Sequence, residues 1–212
     1  MWFPKAADDD RWADAIKALR KDVVLRRLIT QVGPCTLRPH RNYFTKLVQS
    51  ILSQQVSVKA AASMFVTLKS RLPCKRVTPQ SVLALVSSGD EELLRGCGLS
   101  RQKRTYLLDL SQRFVSGEIK PGTFSRLSDD EIMAVLTPVK GIGKWTVQML
   151  LMFGMNRPDV WPIDDLGLQE AIRIHFKLIA RPTSKQIAPM GDAWKPHRTV
   201  AAWYLWRAAR EY

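Results

Sequence analysis

Residues 136–165 read LTPVKGIGKWTVQMLLMFGMNRPDVWPIDD. Within this stretch, Pro138-Val139-Lys140-Gly141-Ile142-Gly143 predicts a tight hairpin between a helix ending near Leu136 and an apolar helix opening at Lys144. Its two glycines permit φ > 0 and strip the tip of side chains, so a foreign backbone can come close. The bare N–H groups at the start of the following helix form an anion site, aided by the helix dipole. Lys140 and Lys144 flank that site. A plain turn between packed helices has the same glycine spacing; the flanking lysines and the helix on each side favour phosphate binding. The stretch then closes on paired carboxylates, Asp164 and Asp165, at the start of the next helix.

The rest of the chain agrees with a polyanionic partner. Its 212 residues carry 33 Lys and Arg against 19 Asp and Glu, a net charge of +14. Each phosphate that such a surface neutralises releases condensed counterions. A solvated basic surface or a ribosome-associated role would leave the same excess. With 46% hydrophobic and 25% charged residues the composition suits a globular domain with a real core. No run approaches the ~18 apolar residues of a membrane span, and MWFPKAADDDRW lacks the apolar centre of a secretory signal. Cys35, Cys74 and Cys97 are too few for a four-cysteine iron–sulfur cluster and too widely spaced for a zinc site. They read as reduced thiols.

The apolar pattern repeats at helical spacing throughout, which predicts an all-α protein. Asp8 to Asp10 can cap a helix bearing Trp12, Ala15, Ile16 and Leu19. Another covers Val23 to Val32 and stops at Gly33-Pro34. Tyr43, Phe44, Leu47, Val48, Ile51 and Leu52 form a stripe over 41–53. Ser57, Thr78-Pro79 and Ser100 head further helices, a short one lies at 90–96, and Ser128 with Glu131 makes a capping box. Long helices follow Asp165 and run from about Asp192 to Glu211. A basic echo of the hairpin, GCGLSRQKRTY at 96–106, places Ser100, Arg101, Lys103 and Arg104 at a helix start. It reads as a second backbone contact, or as a solvated basic face.

Four segments together resemble the helix-hairpin-helix DNA glycosylases, and within them the alkylpurine (3-methyladenine) DNA glycosylase II branch. They are ILSQQVSVKAA at 51–61, VKGIGKWT at 139–146, DVWPIDDLGL at 159–168 and WKPHRTVAAWYLW at 194–206. The resemblance implies one unit over 1–212, in the compact form without an additional N-terminal domain. It would have a terminal lobe (1–40 plus 160–212) and a central lobe (41–159, hairpin 137–144) around a cleft. It implies that Asp165 is the catalytic carboxylate and that Trp145 stands where bifunctional relatives carry their Schiff-base lysine, so that strand cleavage is not expected. Gln55, with Gln54 beside it, would fill the gap left by a flipped nucleotide, and Trp206 would line the base pocket. Met149 and Leu166 replace tyrosines that some relatives place there; Trp203, Tyr43 and Phe44 are further pocket candidates. The hairpin, Thr137 to Lys144, would grip DNA. The carbonyls of Thr137, Val139 and Ile142 would hold a Na+ or K+ against a phosphate.

The chemistry fits these residues. Breaking an N-glycosidic bond builds positive charge on the sugar, which an aspartate beside it stabilises. Asp165 sits at a helix start, where the dipole favours negative charge; Asp164 takes the capping or supporting role. A purine alkylated at N3 or N7 is already cationic, so it leaves without an acid, and aromatic faces can select it. The expected activity is hydrolytic excision of alkylated purines from duplex DNA in base excision repair, by a monomer needing no catalytic cofactor. Its place would be the cytoplasm, on the nucleoid in a bacterium or in the nucleus of a eukaryote. Excision of neutral deaminated or etheno-purines is one alternative; a non-catalytic DNA-binding hairpin module is another.

Overall fold

The computed structural model describes residues 10–209, and every regular element among them is helical. In chain order these are α1 (Ala13–Leu19), α2 (Val23–Val32), α3 (Tyr43–Ser53), α4 (Val58–Arg71), α5 (Pro79–Val86) and α6 (Glu91–Gly96). They continue with α7 (Arg101–Val115), α8 (Asp129–Leu136), α9 (Lys144–Met149), α10 (Leu166–His175), α11 (Ser184–Ile187) and α12 (Arg198–Ala209). The caps expected at Asp8 and Asp9, and the helix end at Glu211, fall outside the described residues. Among the described residues no helix is long and apolar enough to cross a membrane.

Most helix starts follow from a single polar side chain. Asn42, Ser57, Asp90 and Ser100 each accept a backbone N–H from three residues on. Ser128 and Glu131 complete their capping box, Glu131 Oε2 taking the Ser128 N–H at 2.7 Å. Each such cap is worth about 1 kcal/mol.

The chain divides into two units, residues 40–150 and the segments 10–39 plus 151–209. The division at 150/151 lies nine residues before the expected 159/160. The apolar run 147–153 offers no Gly, Pro or charge to mark the change, and the crossing occurs inside a continuous helical stretch, where α9 passes into a π-turn at Leu150–Gly154.

In the 40–150 unit α3 buries Phe44, Leu47, Val48, Ile51 and Leu52, and α7 contributes Leu107 and Leu110. The helix pairs α5–α7, α3–α4 and α3–α7 build this core, with α8 against α9. The hairpin is fastened to it: Val139 and Ile142 are 1% and 3% exposed.

In the other unit α12 is the hub, packed by α1, α2 and α10. Val200 to Leu205 are all buried, the signature of a helix that is apolar all round. It starts at Arg198, not near Asp192. Pro196 disfavours helix in the residue before it, so 189–194 closes as a separate 3-10 turn. Cys35 and Cys97 are buried and Cys74 is exposed, all unpaired.

Candidate active site

The segment 157–165 that delivers Asp165 is tied down within its own unit. Arg198 grips Asp159 with two bonds, Nε to Oδ1 at 2.7 Å and Nη2 to Oδ2 at 2.9 Å. The Thr199 hydroxyl donates to the Arg157 carbonyl at 2.6 Å and accepts the Val160 N–H at 3.0 Å. Trp161 is buried with its indole N–H on the Ile187 carbonyl, 3.0 Å away. Nearer the carboxylate, Gln169 donates from its amide to the Ile163 carbonyl at 2.9 Å.

Asp165 is itself the N-cap of α10. Its Oδ1 accepts the Leu168 N–H at 2.5 Å and the Trp206 indole N–H at 3.0 Å. The capping expected of Asp164 is therefore corrected: Asp165 does the capping, and Asp164 is exposed. A carboxylate has lone pairs enough for a cap and for chemistry at once. Gly167 leaves the carboxylate room, since a Cβ there would sit 3.1 Å from Asp165 Oδ1, close enough to push it by a few tenths of an ångström, and in ordinary contact with Trp206 Nε1 at 3.5 Å. Phe153, which reads as one more residue of an apolar run, lies against Trp206 with ring centroids 5.8 Å apart. Leu166 is 60% exposed beside this group.

Trp203, expected in the pocket, belongs to the core. It is 1% exposed and packs edge-on against Tyr204 at 4.9 Å. Phe44 is corrected likewise, being buried edge-on against Phe114 at 5.0 Å. Tyr43 stacks on the buried Phe124 at 5.6 Å, a packing role.

The hairpin and the Gln54-Gln55 turn come together in the 40–150 unit. Gln54 Nε2 donates to the Gly141 carbonyl at 2.7 Å. Gln55 is exposed and holds φ 57°, a left-handed backbone that costs a non-glycine residue about 1 kcal/mol or more. Only one hairpin glycine uses its freedom. Gly141 has φ 79°, and a Cβ there would fall 2.1 Å from Tyr106 Cδ2. Gly143 has an ordinary extended backbone, φ −95°, and a Cβ would meet nothing. What it keeps clear is the space outside the tip. Lys140 and Lys144 are exposed there, and Thr137 donates its hydroxyl back to the Met133 carbonyl at 2.8 Å.

Val139 directs its carbonyl to the Ile142 N–H at 3.0 Å, while the carbonyls of Thr137 and Ile142 receive no backbone N–H. A set of neutral oxygens of this kind suits a hard cation. No group of three or more His, Cys, Asp or Glu side chains lies together as metal ligands among the described residues.

At the second basic stretch the structure separates neighbours. Ser100 caps α7 and Arg101 is exposed, but Lys103 is not a surface cation. It is 8% exposed, and its ammonium donates to the Leu52 carbonyl at 2.6 Å. Burial pulls its pKa below the usual lysine range. Lys103 is drawn in because the last carbonyls of α3 lack intrahelical donors.

Trp145, in the first turn of α9, is 47% exposed, and Met149 one turn on is half-buried. Residues 48–196, from α3 to the turn before α12, match the profile of the HhH-GPD superfamily of base excision DNA repair proteins. The chain belongs to that superfamily. The HhH-GPD match encloses the Gln turn, the hairpin and Asp165, and leaves Trp206 beyond its end. DNA-3-methyladenine glycosylase 1 of Schizosaccharomyces pombe is 35% identical over 196 residues, 87% of this chain and 82% of that protein. The solved structure of the S. pombe 3-methyladenine DNA glycosylase in complex with abasic DNA has a TM-score of 0.81 at 35% identity, covering 93% of this chain and 97% of that one. A DNA-3-methyladenine glycosidase from Bacillus halodurans gives 0.80 at 29% identity, over 98% and 94%. The fold is the one these HhH-GPD enzymes share.

Proposed function

We propose that the protein is a monofunctional DNA glycosylase that hydrolyses the N-glycosidic bond of alkylated purines in duplex DNA, acting as a monomer in base excision repair. The observation that carries this reading is the Asp165 carboxylate, fixed at the start of α10 by the Leu168 N–H and the Trp206 indole. Placed beside the C1′ of an extruded nucleotide, it stabilises the positive charge that grows on the sugar as the bond breaks. The bonding pair leaves on the purine, which is neutral once departed if alkylation had made it a cation. Water then bonds to C1′ and gives up one proton, leaving an abasic sugar.

Trp145 has no amine, so no imine to C1′ forms there. Lys144 projects about 100° around the helix from it. Trp145 and Trp206 both keep accessible ring surface, and an aromatic face is worth about 0.5–2 kcal/mol to a cationic base. The carbonyls of Thr137, Val139 and Ile142 would hold a Na+ or K+ that offsets the charge of a DNA phosphate.

The test is excision from duplexes carrying one defined lesion each, with heat or alkali to reveal abasic sites. Asp165→Asn should lower base release about a thousandfold while duplex binding persists. Release of no base from methylated DNA by the wild type would end the alkylpurine reading, and nicking without heat or alkali would contradict the argument from Trp145.

A further inference from the structure

Three side chains along one side of α7 meet both DNA-facing devices of the 40–150 unit. Lys103 Nζ holds the Leu52 carbonyl at 2.6 Å, in the last turn before Gln54 and Gln55. The Tyr106 ring lies directly under Gly141, leaving no room for a Cβ. Asp109 Oδ2 accepts the Lys140 N–H at 2.8 Å and is held by Arg113 Nε at 3.3 Å. The two devices are also joined to each other, by Gln54 on the Gly141 carbonyl at 2.7 Å.

This is a costly arrangement for a surface turn and a loop. A buried ammonium must be desolvated, and a non-glycine residue is kept in left-handed backbone. An ordinary helix connection needs neither. What the arrangement supplies is a fixed separation between the exposed Gln55 side chain and the hairpin's bare tip.

We propose that Lys103, Tyr106 and Asp109 are positioning residues which make the Gln55 turn and the hairpin one rigid element, so that gap filling and phosphate capture occur in a single register. This rests on the proposed glycosylase reading for its consequence in DNA, and not for the mechanical coupling itself. Extruding a base costs stacking and pairing, and a plug held at the right distance offsets that cost. A plug that wanders pays ordering entropy at each insertion.

The coupling is read first without DNA, by amide hydrogen exchange in Lys103→Met, which keeps the apolar stem and removes the ammonium. Peptides covering 137–144 should exchange faster, although the lysine's own hydrogen bond goes to residue 52. Gln54→Leu, at a partly exposed position, should reproduce the effect and stands in if Lys103→Met melts early. With DNA, Lys103→Met should lose about tenfold in kcat/KM on a fully paired lesion and no more than about twofold opposite a missing nucleotide, where little extrusion work remains. Unchanged exchange in the hairpin, or equal losses on the two duplexes, would overturn the proposal. If the wild type excises nothing, the glycosylase reading falls and the exchange experiment alone decides the coupling.

Discussion

The indole N–H of Trp206 donates to Asp165 Oδ1 at 3.0 Å, on the same oxygen that caps α10. Two donors from different directions fix both the position and the tilt of the carboxylate. Trp206→Phe keeps a ring against Phe153 and removes only the N–H. A hydrogen bond to a charged group is worth about 1.5–3 kcal/mol, so single-turnover excision should slow by roughly ten- to a hundredfold. Substrate affinity should change much less, and a purely weakened affinity would show that the indole acts on the base and not on the acid.

Gly167 sets up opposite effects on stability and rate. Helical glycine costs about 0.5–1 kcal/mol relative to alanine, so Gly167→Ala should raise Tm slightly. Its new Cβ, 3.1 Å from Asp165 Oδ1, should displace the carboxylate by a few tenths of an ångström and lower kcat. Melting curves and turnover on the same samples check both signs; an unchanged kcat would show that the carboxylate tolerates the shift.

The two hairpin glycines should fail in different ways. Gly141→Ala combines a left-handed backbone with a 2.1 Å approach to Tyr106 and should destabilise the fold by several kcal/mol. Gly143→Ala meets nothing in the protein and should melt with the wild type, yet bind duplex DNA more weakly because its methyl group occupies the phosphate's approach. Tm and duplex Kd for the pair decide this; normal affinity in Gly143→Ala would place the DNA backbone elsewhere.

Acid should weaken the fold through His175. The ring is 4% exposed with a nitrogen on the Leu205 carbonyl at 3.2 Å, and burial first, with Arg27 adding to it, holds its pKa below the ordinary 6.5. Between its folded pKa and 6.5 the unfolded chain binds more protons, so stability rises with pH through that window. The contribution is complete above 6.5 and is lost as pH falls through the folded value. Tm should therefore drop on acidification from neutral pH, and His175→Gln should flatten that part of the profile.

The stripe on α3, the Ser128–Glu131 capping box and the hairpin were legible because their signals are local: period, cap residue, glycine. Less legible was which face of an all-apolar helix meets solvent. Trp203 and Trp206 stand three residues apart on α12, and only packing reveals that one is core and the other reaches Asp165. Lys103 read as a surface cation because its partner, the Leu52 carbonyl, lies 51 residues away. Asp109 with Arg113 reads as an everyday i, i+4 pair, which hides the Lys140 N–H it also accepts. Tyr106 reads as one more member of an apolar stripe. The basic composition pointed to the partner and was silent on all of these.

Because Asp165 begins α10 as well as carrying the proposed chemistry, deleting its side chain should harm the molecule twice. Alanine there would remove about 1 kcal/mol of helix stability along with the charge, and an inactive protein would also be a looser one. Asparagine starts helices as well as aspartate does, so it silences the reaction and spares the architecture. On the proposed mechanism folding and turnover share one carboxyl group, and the isosteric amide is the substitution that pulls them apart.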